Sequence, residues 1–168
     1  MTLKSSFPPV ADTATRLLIL GSLPGEVSLA RAQYYAHPQN QFWRLMETVI
    51  EADLVDLTYE ARLAKLLEHG VGLWDVVGQA RRAGSLDGAI REVTPNALAD
   101  FAATLPALRA VAFNGLTAAA IGRKQLPAGF APALITLPSS SPAYTLAFAR
   151  KAEAWAALRG FSNRPANG

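Results

Sequence analysis

Short apolar runs alternate with amphipathic stretches along this chain. Arg16–Leu20 (RLLIL) is apolar and stops at Gly21, the pattern of a buried parallel strand. Asn40 precedes QFWRLMETVIEA, where Phe42, Leu45, Met46, Val49 and Ile50 fall at helical spacing, so a helix with one apolar face is predicted and Asn40 is a candidate cap. Thr58–His69 predicts a second helix, capped by Thr58 and stopped by Gly70. Val71–Val77 (VGLWDVV) reads as a strand running on into loop, and Gln79–Val93 is polar. Thr94–Pro95 is expected to open a third helix, because proline fits a first helical turn. Arg109–Phe113 is a third strand ending in Asn114–Gly115; Thr117–Lys124 is a short helix and Ala133–Leu137 a fourth strand. Pro138–Pro142 is a serine–proline loop, and Ala143–Arg159 a last helix stopped by Gly160. Residues 1–15 read as an extended lead-in, Gly21–His37 as a loop, and 160–168 as a flexible tail.

Strands alternating with helices imply an α/β fold, a three-layer αβα arrangement around a central four-stranded parallel sheet. One domain spanning 1–168 is expected from the length. Ligands of such sheets bind beyond the carboxyl ends of the strands. Gly21–Gly25, Asp75–Gly78, Asn114–Gly115 and Pro138–Pro142 should therefore share one rim.

Composition narrows the chemistry. There is no cysteine and the histidines are His37 and His69 alone, so neither disulfides, thiolate zinc sites nor cysteine-held clusters are expected, and no metal. Net charge is +3 with a pI near 9.5, which permits a nucleic-acid partner without requiring one. No apolar run reaches membrane-spanning length and the N-terminal residues lack a signal-peptide core, so a soluble, cytoplasmic protein is expected, with no membrane partner.

Four segments can carry chemistry. In GSLPGEVSL (Gly21–Leu29), two glycines frame Pro24, and such a loop either turns the chain or presents backbone N–H groups to an anion or carbonyl. It is neither a P-loop nor a dinucleotide fingerprint. YYAHPQNQFW (Tyr34–Trp43) is rich in aromatics; Phe42 and Trp43 fall on the core face of the helix, while Tyr34 and Tyr35 are freer to stack on a base. Here Asn40 reads equally as cap and as catalytic group, and His37 reads first as a loop histidine. LPSSSPAY (Leu137–Tyr144) is a rigid, donor-rich loop before a helix, suited to a turn or to a phosphate. Asp75 in GLWDVV reads as a base or water anchor, or as the partner of Arg81 or Arg82. Arg81, Arg82, Arg123, Lys124, Arg150 and Lys151 are candidates for phosphate contact. A serine hydrolase built on Ser139–Ser141, His37 and Asp75 is an alternative, although no Gly-x-Ser-x-Gly elbow is present.

Together these segments resemble the uracil-DNA glycosylase superfamily over about residues 16–155. GSLPG resembles its first motif, AHPQNQFW the AHPxNxFW run of the mismatch-specific branch, and LPSSSPAY its closing motif. GSLPG, YYAHPxNxFW, GLWDV followed by GSLD, AFNG and PSSSPA are most similar to the hypoxanthine-DNA (deoxyinosine) glycosylase branch. Leu23 stands where the mismatch branch has its catalytic Asn, and Leu137 replaces the Asn of its closing motif, departures that argue against ordinary uracil chemistry.

The resemblance implies a monofunctional, cofactor-free glycosylase of base excision repair. It would flip a deaminated base, hypoxanthine first and uracil second, from double-stranded DNA and hydrolyse its N-glycosidic bond, acting as a monomer. Carried over, the catalytic residues are Asn40 and Asp75. The base pocket is Gly21, Ser22, Leu23, Pro24, Gly25, Tyr35, His37 and Asn114, with Tyr35 as stacking platform. Ser139, Ser140, Ser141, Pro142, Ala143 and Tyr144 would press on DNA. A damaged-DNA-binding domain without catalysis is the other alternative.

Overall fold

The computed structural model describes residues 2–162; residues 163–168 of the expected tail lie outside them. Four parallel strands form the central sheet: β2 (Leu17–Gly21), β3 (Val71–Asp75), β6 (Ala110–Asn114) and β7 (Ala133–Leu137), in the order β3-β2-β6-β7. Both faces of β2 are buried, as parallel strands covered by helices require. Leu17 and Ile19 face Phe42, Leu45, Met46, Leu66 and Trp155 in one core layer. Those residues come from α2 (Phe42–Ile50), α3 (Tyr59–Glu68) and α6 (Phe148–Trp155). Leu18 and Leu20 pack with Leu98, Phe113, Ala118 and Ala119 in the other, under α4 (Leu98–Ala103) and α5 (Leu116–Lys124). This is the three-layer α/β architecture expected. Thr58 caps α3 by accepting from the Ala61 N–H at 3.2 Å, and Gly70 ends it with φ +74°.

Several expected boundaries are corrected. The lead-in contains β1 (Thr2–Ser5), and the polar stretch after Asp75 contains β4 (Val77–Arg82) and β5 (Arg91–Pro95). These make a second, antiparallel sheet in the order β1-β4-β5. Thr94 and Pro95 therefore close an edge strand, where a missing N–H is tolerated, and open no helix. The loop after Gly21 contains a short helix, α1 (Glu26–Arg31), and the last helix starts at Phe148 and ends in a 3₁₀ turn over Ala156–Gly160.

Val76 joins the two sheets. Its N–H donates to the Gly21 carbonyl at 2.8 Å, the next N–H to Ser22 at 3.1 Å, and its carbonyl accepts from Asn96 at 2.9 Å. Asp75 thus stands where the chain leaves the parallel sheet.

Gly122 shows how closely α5 lies on that junction. A β-carbon there would sit 2.4 Å from Phe113 Cε1 and 2.9 Å from Val76 Cγ1. Alanine would gain about 1 kcal/mol of helix propensity, but overpacking a core costs about 1–3 kcal/mol. Gly122→Ala is expected to lower the urea midpoint; an equal or higher midpoint would show that the contact relaxes freely.

Candidate active site

A cleft of about 1130 Å³ opens at the carboxyl ends of the parallel strands. It is lined by every expected site residue: Gly21–Gly25, Tyr35, His37, Asn40, Asp75, Asn114 and Ser139–Tyr144.

Ser140 links three of its walls. It is 1% exposed. Its Oγ donates to Asn40 Oδ1 at 2.8 Å and accepts from Asn114 Nδ2 at 2.9 Å. Its N–H donates to Asn114 Oδ1 at 2.9 Å, and its carbonyl accepts from the Gln41 N–H at 3.0 Å. Asn40 Oδ1 also accepts from the Phe42 N–H at 3.0 Å, at the start of α2. That donor-only partner fixes which end of the amide is oxygen. The carbonyl oxygen of Asn40 is thus saturated by two bonds, which leaves its NH₂ as the end available to the cleft.

Asp75 forms the floor. It is 3% exposed, and its Oδ2 is buried without a hydrogen-bond partner. Register places it opposite Gly21. A β-carbon on Gly21 would lie 2.7 Å from Asp75 Oδ1 and 2.9 Å from the Tyr35 hydroxyl, so glycine is what lets these two groups meet. Burial, reinforced by the nearby Asp87 charge and opposed by Arg82, pushes the Asp75 carboxyl up to about 7. Tyr35 Oη is also buried and makes no well-formed hydrogen bond among the described residues. Burial, with the Asp75 charge beside it, outweighs the nearby Asn114 side chain, raises this phenol well above its ordinary value and keeps it neutral. The ring stacks on Phe42, centroids 3.9 Å apart and planes 18° from parallel. Its backbone is left-handed, φ +53°, an uncommon conformation for a bulky residue, and Trp43 Nε1 donates to its carbonyl at 3.2 Å. Tyr34, expected to be freer, is 4% exposed and donates to the Pro8 carbonyl at 2.9 Å.

A second carboxylate was not singled out in the sequence. Asp87, in GSLD, accepts from Ser22 Oγ at 2.6 Å and lines the cleft with Ser85, Leu86 and Arg91. Its polar stretch offered no periodicity to place it. Arg82 is neither a phosphate contact nor the bonded partner of Asp75. It is 1% exposed and donates to the carbonyls of Leu23, Pro24 and Gly84, holding the glycine loop from behind. Arg81 pairs with Glu92 at 2.7 Å. Lys151, 1% exposed, donates to the Ser141 carbonyl at 3.2 Å, so it too is no surface contact. Arg123, Lys124 and Arg150 are exposed. His37 is exposed, and its Nδ1 accepts from the Gln39 N–H at 3.0 Å. Ser140 Oγ is spent on two asparagines, so a serine–histidine relay is not assembled at this serine.

Residues 8–159 match the sequence profile of the Uracil DNA glycosylase superfamily, and the chain belongs to that superfamily. A DNA substrate follows from that membership. A hypoxanthine DNA glycosylase of Methanosarcina acetivorans is 40% identical over 141 residues, 84% of this chain and 88% of its own. One of Methanosarcina barkeri is 45% identical over 112 residues, 67% of this chain and 71% of its own. A solution NMR structure of a Methanosarcina acetivorans protein, provisionally named a uracil DNA glycosylase, superposes with a TM-score of 0.85 at 36% identity, covering 95% of this chain and 99% of that one. No helix among the described residues is long and apolar enough to cross a membrane.

The raised carboxyl of Asp75 makes a stability prediction. The folded state holds this proton up to about pH 7, the unfolded chain only to about 3.8. The cost of burying the charge is therefore absent at low pH, grows as pH rises between those values, and is constant above. Asp75→Asn cannot ionise, so its Tm relative to wild type is expected to climb from pH 4 to pH 8. An equal difference at both ends would contradict the buried charge.

Proposed function

We propose that this chain is a monofunctional glycosylase of base excision repair that takes hypoxanthine from double-stranded DNA and hydrolyses its N-glycosidic bond. The observation that carries this reading is the cleft at the strand ends, lined both by Asp75, whose buried Oδ2 has no hydrogen-bond partner, and by Asn40, in a chain whose relatives are named for hypoxanthine. Uracil is the second substrate, weakened by Leu23 at the loop position where the mismatch branch has Asn.

A base inside a duplex hides its glycosidic bond, so it must be flipped, at a cost of a few kcal/mol that is least at a damaged or mismatched pair. In this reading Phe42 backs the ring of Tyr35, and the Tyr35 hydroxyl meets the edge of the flipped base. The Ser139–Ala143 loop and Tyr144 press on the opened backbone, and Arg123, Lys124 and Arg150 approach phosphates. Bond cleavage builds positive charge on the sugar and negative charge on the base, and the site must stabilise both. A water that accepts a hydrogen bond from Asn40 Nδ2 keeps a lone pair for C1′. A cationic sugar asks for no stronger nucleophile. Among the described residues no lysine lines the cleft, so the abasic strand is released intact, without a Schiff base. The protein acts as a monomer, one domain per active site.

Duplexes carrying a single hypoxanthine, uracil, xanthine or mismatched thymine, treated with alkali after incubation, are expected to break at hypoxanthine most rapidly. Binding without any breakage would instead identify a damaged-DNA-binding domain.

Asn40 separates into two functions by substitution. Asn40→Asp keeps the acceptor used by Phe42 and Ser140 and loses the amide donors. It is expected to retain thermal stability while single-turnover release falls at least about tenfold, or 1.4 kcal/mol. Activity kept in Asn40→Asp but lost in Asn40→Ala would reduce Asn40 to a residue that holds the helix start and the loop.

A further inference from the structure

Two buried polar groups at the cleft floor, Tyr35 Oη and Asp75 Oδ2, make no well-formed hydrogen bond among the described residues; Asn114 lies beside the Tyr35 hydroxyl and leaves its proton free to donate. Unsatisfied buried groups are uncommon and ask for a reason. These two are neighbours, brought together over Gly21, and the structure shows no hydrogen bond between them. Among the described residues no cation bonds the carboxyl; the Arg82 charge favours its ionised form from a distance, against the larger effect of burial. Asp87 faces it from the 3₁₀ turn, Tyr34 and Tyr35 from the segment before α2, and Arg82 from β4 with its guanidinium spent on carbonyls. A neutral carboxyl and a neutral phenol, side by side, are two donors. The matching ligand edge carries two adjacent acceptors. A 6-oxopurine offers N7 and O6 on one edge, whereas a pyrimidine has no N7.

Resting on the proposed glycosylase reading, we infer that Tyr35 Oη and the protonated Asp75 carboxyl read the O6 and N7 edge of a flipped 6-oxopurine, and that Asp75 gives its proton to N7 as the base leaves. The C1′–N9 bond breaks with its electron pair staying on the base, and the proton at N7 makes the departing base neutral. Water adds at C1′, and the proton it sheds returns, directly or through solvent, to the Asp75 carboxylate. The products are hypoxanthine and an abasic sugar, with no co-reactant. A general acid works best when its titration lies near the working pH. The Asp75 carboxyl, pushed up to about 7, meets that condition. The pair selects the purine edge only. Hypoxanthine and guanine differ at the 2-position, on the opposite edge, which these donors do not touch.

The test uses duplexes with hypoxanthine or 7-deazahypoxanthine, whose position 7 is a carbon that accepts no proton. Single-turnover release is measured from pH 5.5 to 9, and binding of the two free bases is measured beside it. Wild type is expected to release hypoxanthine progressively more slowly above pH 7, approaching about tenfold per unit. It should bind free hypoxanthine at least about tenfold more tightly than the 7-deaza base, and release the latter at least about 100-fold more slowly from DNA. Asp75→Asn, which keeps a donor but no acid, should retain the binding preference while losing release and its pH dependence; Asp75→Leu should lose both. Release that climbs through pH 7, or 7-deazahypoxanthine released within tenfold of hypoxanthine, would overturn the inference and make Asp75 a base. No release of hypoxanthine at any pH would overturn the glycosylase reading instead, and the free-base binding would still judge the donor pair.

Discussion

The cleft depends on one pairing, Gly21 against Asp75 at the ends of two buried parallel strands. The missing β-carbon brings a carboxyl and a phenol together at the buried end of the cleft. Each buried, unsatisfied polar group costs about 1–3 kcal/mol, so the floor is a local liability within a favourable core. The surroundings hold it there. Val76 and Val77 tie the strand end back to Gly21 and Ser22, and Arg82 pulls the loop carbonyls from the other side. A site built this way keeps its polarity unspent until something enters.

The structure corrects the expected cap: Gln41, not Asn40, is the N-cap of α2. Asn40 stands one residue earlier, where its oxygen accepts from the Phe42 N–H and the Ser140 hydroxyl, and its amide is left toward the cleft. The same helix that buries Phe42 and Trp43 thereby fixes both the Asn40 side chain and the ring on which Tyr35 rests. Core packing and the candidate chemistry are one piece of structure here.

Much of this was legible in the chain. The apolar runs ending at Gly21 and Asn114 marked buried strands, because a parallel strand covered on both faces must be continuously apolar; the run ending at Leu137 is the half-covered edge strand. The spacing from Phe42 to Ile50 marked α2, and the post-strand segments marked the rim. The second sheet was not legible. β5 is exposed throughout and β4 carries Gln79, Arg81 and Arg82, so neither shows the pattern of a half-buried strand. The burial of Arg82 and Lys151 was hidden for a related reason: an isolated cation in a sequence reads as solvated, and only the fold reveals carbonyls gathered around it. Asp87 was missed because its position depends on a 3₁₀ turn in that same polar stretch.

The base of the closing loop is pinned at Pro138, Ser140 and Ser141. Trp155 Nε1 holds the Pro138 carbonyl at 2.9 Å, Ser140 is bonded on every side, and Lys151 holds Ser141. Such a loop is an anvil and not a lid. In the proposed encounter the compliance has to come from the duplex, so the sequence around a lesion, through the stiffness of its base steps, sets how readily the site is reached. Mechanical softness of DNA, with no base edge being read, then becomes part of what this protein recognises.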